Sequence, residues 1–289
     1  MKLLLAGTPE FSVPIFEELI KKFEIVAIIT QPDKPKNRGY SLEASPVKKL
    51  AQKYDIKVYD PEKISTIYDQ IKDLEFDFFL TAAYGQYIPE KILNLPKIAS
   101  LNVHGSLLPK YRGAAPIQHA LLNGDDETGI SLIYMTKKMD AGNILKIAKI
   151  KLNGNENADD LFLQMSKIAS KNIVLWLEQI YQKDFSEIVQ DEEKVSLSPK
   201  LLKEDALLEV DKLSVKDFIN KVRAFSLNPG AYLIKDGKRV KIFRATTSLV
   251  KNAFVVEVQG QKIYCYEYQF EGKKRVKLNF NLLFFNSVI

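Results

Sequence analysis

The 289-residue chain predicts an α/β protein: an open, mostly parallel sheet followed by a small β-barrel. Two observations carry this. In the first part, short apolar runs alternate with segments of helical periodicity, the pattern of a parallel sheet with helices on its faces. Past about residue 206 short strands follow one another, with Asp236-Gly237 and Gln259-Gly260 as hairpin turns, and a barrel closes that many short strands.

Each element has its own signal. Residues 2–6 read as a strand, and 12–22 as a helix with Pro14 in the first turn, where its missing N–H breaks no intrahelical bond. Residues 25–30 read as a strand, 46–54 as a helix and 57–59 as a short strand. Residues 76–82 and 99–103 are apolar strands separated by a short helix near 90–95. A helix over 116–123, a strand over 130–135 and a long helical pattern over 158–182, containing Trp176, complete a Rossmann-like layout. Residues 184–205 are charged, lack clear periodicity and contain Ser196-Leu197-Ser198-Pro199, so they read as a linker. Beyond them come an amphipathic helix over 215–225, a turn at Asn228-Pro229-Gly230, and strands over 231–234, 240–245, 253–258, 262–268 and 276–281. The expected division is a catalytic domain over 1–189, a linker over 190–205 and a β-barrel domain over 206–289.

Composition narrows the function. The single cysteine, Cys265, excludes an intramolecular disulfide and a cysteine-rich metal site, and no His/Asp/Glu cluster has metal-ligand spacing, so no metal is expected. The apolar run at the N-terminus is cut short by Gly7, Pro9 and Glu10, too early for a signal peptide, and no apolar segment reaches the length of a membrane span. A cytoplasmic, monomeric protein is expected. The net charge of +6 is uneven: residues 206–289 hold 15 Lys+Arg against 7 Asp+Glu, and residues 1–205 hold 27 against 29. A basic module beside a near-neutral one suits a polyanionic partner such as nucleic acid, although a basic surface can also serve solubility alone.

The chemistry concentrates at one strand end. Asn102-Val103-His104 closes an apolar strand and runs into Gly105-Ser106-Leu107-Leu108-Pro109-Lys110-Tyr111-Arg112-Gly113, with Asp140 following in Met139-Asp140-Ala141-Gly142. In open parallel sheets the site lies at the carboxyl ends of the strands. An imidazole trades protons near neutral pH, a carboxylate fixes its tautomer and stabilises its charged form, and an amide donates to an oxyanion. Together they suit acyl transfer without a protein nucleophile. The other histidine, His119, lies within a predicted helix and reads as structural. Gly7-Thr8-Pro9 follows the first strand but lacks the second glycine of a dinucleotide fingerprint, and Pro9 removes an N–H, so a pyrophosphate cradle is rejected.

These residues, with Leu5–Phe11, Gln31-Pro32-Asp33-Lys34-Pro35, Ser45–Lys48, Ala83–Gln86, Pro116-Ile117-Gln118 and Asn228–Ala231, resemble the folate-dependent formyltransferases over nearly the whole chain. The likeness is closest to the branch that acts on methionyl initiator tRNA. It implies an oligonucleotide-binding type of barrel and transfer of the formyl group of 10-formyltetrahydrofolate, a co-substrate, to the α-amino group of the methionine. Asn102, His104 and Asp140 would be catalytic. The loop Tyr84, Gly85, Gln86, Tyr87 and Ile88, with Ser106, Leu107, Leu108 and Pro109, would bind the folate. The loop over 31–42, with Lys34, Lys36 and above all Arg38, would enter the tRNA acceptor end, and Lys203, Arg223 and Lys241 would contact tRNA phosphates. The chain departs from the family pattern at Asn37, at Tyr40-Ser41, where a basic pair is common, and at Asn143, where an acidic residue is common. Formyl transfer to a small amine, formyl-folate hydrolysis, and a non-catalytic RNA-binding role are the alternatives that the residues leave open.

Overall fold

The structure is a computed structural model that describes residues 1–35, 42–226 and 228–279. In chain order the first elements are β1 (Lys2–Gly7), α1 (Ser12–Lys22), β2 (Glu24–Ile29), the two-residue ladder of β3 (Lys34–Pro35) with β4 (Leu42–Glu43), α2 (Pro46–Lys53), β5 (Val58–Tyr59) and α3 (Tyr68–Ile71). Next come β6 (Phe78–Ala82), α4 (Glu90–Leu93), β7 (Ala99–His104), β8 (Arg112–Gly113), α5 (Pro116–Asn123), β9 (Glu127–Tyr134), β10 (Ile144–Lys151) and α6 (Ala158–Tyr181). The chain continues through β11 (Leu197–Ser198), α7 (Val215–Ala224), β12 (Ala231–Lys235), β13 (Lys238–Thr246), β14 (Phe254–Val258), β15 (Gln261–Phe270) and β16 (Val276–Lys277). By contacts it divides into two units, Met1–Pro116 with Glu127–Lys151 and Leu161–Lys200, and Ile117–Asp126 with Leu152–Asp160 and Leu201–Ile289.

The first unit is built on a seven-stranded sheet in the order β10-β9-β7-β6-β1-β2-β5. The strands from β7 to β5 pair in parallel, while β9 and β10 add antiparallel at the edge. The mostly parallel sheet is therefore the one expected. The parallel strands carry continuous apolar runs because helices cover them: Leu3, Leu4, Leu5, Phe78, Phe79 and Leu80 are fully buried. Each such side chain contributes on the order of 2 kcal/mol of hydrophobic burial. α1 packs Ile15, Phe16 and Leu19 inward, and α2 starts on Ser45, whose hydroxyl accepts from the Lys48 N–H at 3.0 Å. β10 was not among the expected strands. Its Ile-Leu-Lys-Ile-Ala-Lys-Ile-Lys sequence has lysines along a sheet edge, a common protection against edge-to-edge pairing.

The stretch expected as a linker has structure of its own. Ile188 exchanges two backbone hydrogen bonds with Ile144, both 2.9 Å, and β11 pairs in parallel with β8.

In the second unit, antiparallel strands run in the order β12-β13-β15-β14. β13 takes one edge of the long β15, and β14 and β16 share the other. α7 is capped by Ser214, whose hydroxyl accepts from the Asp217 N–H at 3.1 Å, and buries Phe218 and Val222. Cys265 is wholly buried, and that burial pushes its thiol up to about 12, so it packs as an inert apolar residue. No helix among the described residues is long and apolar enough to cross a membrane.

Candidate active site

β7 delivers Asn102 and His104 at its carboxyl end, between β6 on one side and β9 on the other. Asp140 comes from the turn joining β9 to β10. The structure brings the three together, 38 residues separating Asn102 from Asp140. His104 Nδ1 faces Asp140 Oδ2 at 3.6 Å, and Asn102 Nδ2 donates to Asp140 Oδ1 at 3.4 Å. Both distances are long for hydrogen bonds. His104 Nε2 lies 2.8 Å from the Tyr111 carbonyl. A carbonyl only accepts, so Nε2 carries the proton and Nδ1 is the ring atom that can gain or lose one. His104 is 5% exposed, so this proton exchange is shielded from bulk water.

Backbone geometry holds the carboxylate. Asp140 sits in the left-handed region, with φ +53°, and its Oδ2 accepts from the Gly113 N–H at 2.9 Å. Gly113 has φ +128°, and a Cβ there would meet the Ser198 carbonyl oxygen at 2.6 Å, so only glycine fits. Sequence reasoning missed Thr81. From β6 its hydroxyl donates to Asn102 Oδ1 at 2.7 Å, which fixes the amide with its NH2 towards the site. The only available signal was a polar residue in an otherwise apolar strand. Thr81→Val is expected to lower kcat about tenfold, by freeing the amide to turn, while leaving the melting temperature within a few degrees. Steady-state kinetics beside a thermal melt checks this.

The loop after β6 carries residues expected to contact the folate. The Tyr84 carbonyl accepts from Thr8 Oγ1 and Gln31 Nε2, both at 2.9 Å. Gly85 takes φ +82°, and a Cβ there would fall 2.5 Å from Gln31 Nε2. The Tyr84 phenol is buried in the core, which pushes its pKa up, and the Gln86 amide bonds Ile64 N at 2.9 Å and the Pro61 carbonyl at 3.1 Å. Both side chains thus point into the protein; what remains polar in the loop is its main chain and the phenol of exposed Tyr87, beside buried Ile88. Ser106 is likewise committed: its hydroxyl donates to the Lys110 carbonyl at 2.6 Å, and Ser131 accepts from Leu108 N at 3.2 Å while donating to the Ser106 carbonyl at 2.8 Å. Leu107 and Leu108 follow, Leu108 packing with Ile133 and Ile144, before the cis peptide to Pro109.

The expected cationic contacts divide. Lys34 is exposed and donates to Gln31 Oε1 at 2.6 Å; Lys36 and Arg38 lie outside the described residues, as do Asn37, Tyr40 and Ser41. In the second unit Lys203 and Lys241 line one groove with Arg239, which stacks on Tyr232 at 4.2 Å. Arg223 is a correction. Its side chain is 11% exposed, Nε donates to the Glu156 carbonyl at 2.7 Å and Nη1 to Asn220 at 3.2 Å, so it braces the second unit and is not presented to a phosphate. Helical periodicity places Arg223 beside the buried face but cannot show that its guanidinium folds inward. Among the described residues no group of three or more His, Cys, Asp or Glu is placed to hold a metal ion.

The chain matches two family models, "Formyl transferase" over residues 1–177 and "Formyl transferase, C-terminal domain" over 200–282. A methionyl-tRNA formyltransferase of Ligilactobacillus salivarius is 44% identical over 82% of this chain and 76% of that protein. One of Malacoplasma penetrans is 35% identical over 100% of this chain and 94% of its own. Among solved structures, a sugar 3N-formyl transferase, WlaRD, shares the fold with a TM-score of 0.69 at 20% identity, covering 95% of this chain and 99% of its own.

Proposed function

The chain belongs to the formyl transferase family, and on that premise we propose that it transfers the formyl group of 10-formyltetrahydrofolate to the α-amino group of methionine on initiator tRNA. One observation supports this above the others: an amide, an imidazole and a carboxylate converge at the end of β7, with no protein nucleophile among them. Curated relatives that carry the methionyl-tRNA formyltransferase name over most of this chain's length support the choice of acceptor.

The donor supplies an activated formyl group on nitrogen. The methionyl amine attacks the formyl carbon, the bond from that carbon to the donor's nitrogen breaks, and one proton passes from the amine to the leaving nitrogen. Asn102 Nδ2, aimed by Thr81, donates to the oxyanion that forms on the way. His104 takes the amine proton at Nδ1, through water or directly, and the imidazolium then sits between the Tyr111 carbonyl and the Asp140 carboxylate, with both N–H groups facing acceptors. Main-chain groups of 85–88 suit the donor–acceptor edge of a pterin, with Leu108 as an apolar neighbour. The loop over 31–42 and the Lys203/Lys241 groove are the surfaces we assign to the tRNA, and Arg38 is the first residue to substitute there.

The test is formyl transfer from 10-formyltetrahydrofolate to methionyl initiator tRNA, run beside elongator tRNA. Formylation of the initiator is expected. Donor breakdown without transfer, or no donor consumption, would overturn the reading.

A further inference from the structure

Residues 187–198, expected as part of a linker, run alongside the two loops that meet at Asp140, the one after β7 and the one between β9 and β10. Asn143 donates to Glu187 at 2.7 Å. Ser196 Oγ accepts from the Tyr111 N–H at 2.9 Å, and Ser198 Oγ donates at 3.0 Å to the same Tyr111 carbonyl that accepts from His104 Nε2. At the centre is Gln190, 6% exposed. Its Nε2 donates to the Asp140 carbonyl at 2.8 Å and the Gly142 carbonyl at 2.7 Å, and its Oε1 accepts from Arg112 Nε at 3.0 Å. Arg112 Nη2 in turn reaches Glu192 at 2.8 Å. The Arg112 hydrogen bond first, and one from Lys138 second, hold the Glu192 carboxyl down to about 2. That pairing is complete above a carboxyl's ordinary range and fades only as pH falls towards 2.

We propose that Gln190 is a positioning residue for the transfer, acting through Asp140; the proposal rests on the formyl-transfer reading above. Three properties of the group carry it. A single planar amide supplies two donors and one acceptor, which neither a carboxylate nor an ammonium does. Its two donors grip the carbonyls either side of Ala141, in a turn where Asp140 holds a left-handed backbone, a conformation uncommon for a non-glycine residue. Its acceptor grips Arg112, whose neighbour Gly113 donates to the Asp140 carboxylate. Gln190 therefore ties together the two loops that meet on Asp140 Oδ2, and so sets the direction of that oxygen towards His104 Nδ1. A carboxylate that swings by about an ångström loses on the order of a hundredfold in rate.

The test is a double-mutant cycle in the full chain: Gln190→Ala, Gln190→Glu, Asp140→Asn, and each Gln190 change combined with Asp140→Asn. Gln190→Glu keeps the length but turns an oxygen on the two carbonyls, so it is expected to be at least as damaging as alanine, and it serves as the second variant should alanine fail to fold. Expected is a fall in kcat of about 10- to 100-fold, with KM for both substrates within about threefold, and no further fall when Gln190 is changed in the Asp140→Asn background. Multiplicative losses in the double variant, or loss expressed in KM and melting temperature alone, would reduce Gln190 to a structural strut and overturn the proposal. Absence of product from the unaltered protein would instead overturn the formyl-transfer reading, and this proposal with it.

Discussion

His104→Ala is expected to lower kcat for formyl transfer by about 1000-fold, the product of losing a proton acceptor and a positive charge beside the oxyanion. The two losses come from one ring. Nδ1 faces Asp140 at 3.6 Å and is the atom free to take a proton, because Nε2 is held by the Tyr111 carbonyl at 2.8 Å. The fold is expected to tolerate the change. The Tyr111 carbonyl keeps a second donor, Ser198 Oγ at 3.0 Å, so no buried acceptor is orphaned, and the cavity left by a small ring costs about 1–2 kcal/mol. Tyr84–Ile88 and the cationic surfaces are untouched, so folate and tRNA affinities should stay within a few-fold. Single-turnover formylation with saturating substrates, beside a folate titration and a thermal melt, checks this. A loss below tenfold in a folded variant would remove His104 from the mechanism.

The second large effect is expected at Asp140. Asp140→Asn keeps the shape of the side chain and can still accept from Gly113 N–H, the 2.9 Å contact that orients it. What it removes is the negative charge facing His104. The imidazolium formed when His104 takes the amine proton would lose its counter-charge at 11% side-chain exposure, where water compensates poorly. The expected fall in kcat is about 100- to 1000-fold, with KM little changed, measured in the same assay. Retention of more than a tenth of the activity would mean that proton transfer bypasses Asp140. Activity of Asp140→Asn reduced through KM alone would assign the carboxylate to substrate binding.

Part of this site was legible in the sequence, from residues taken together. Asn102 and His104 stand out because an apolar strand ends on them, and the order of strands and helices puts that end where such sheets hold their sites. Thr81 was not legible, because a threonine inside a buried strand gives no sign of whether its hydroxyl serves its own backbone or the next strand's amide. Arg223 shows the opposite failure: a cation on an amphipathic helix was expected to face a phosphate, and it turns inward to Glu156 and Asn220. Gln190 lies in a stretch with no period to read, so its sequence neighbours suggested only a linker.

The chain's sequence by itself determined the class of fold, the family, and the strand end at which the three side chains proposed to react are gathered. The fold class and the strand end are local features, since periodicity and a strand-end motif are properties of neighbouring residues; Asp140, 38 residues from Asn102, entered through the family resemblance. The tertiary structure alone decided how the three are held. Gln190 reaches Asp140 across 50 residues and Arg112 across 78, and Ser198 reaches Tyr111 across 87. Hydrogen bonds of that span leave no pattern in the segments that make them, because a buried donor is satisfied by whichever acceptor the packed chain places within about 3 Å.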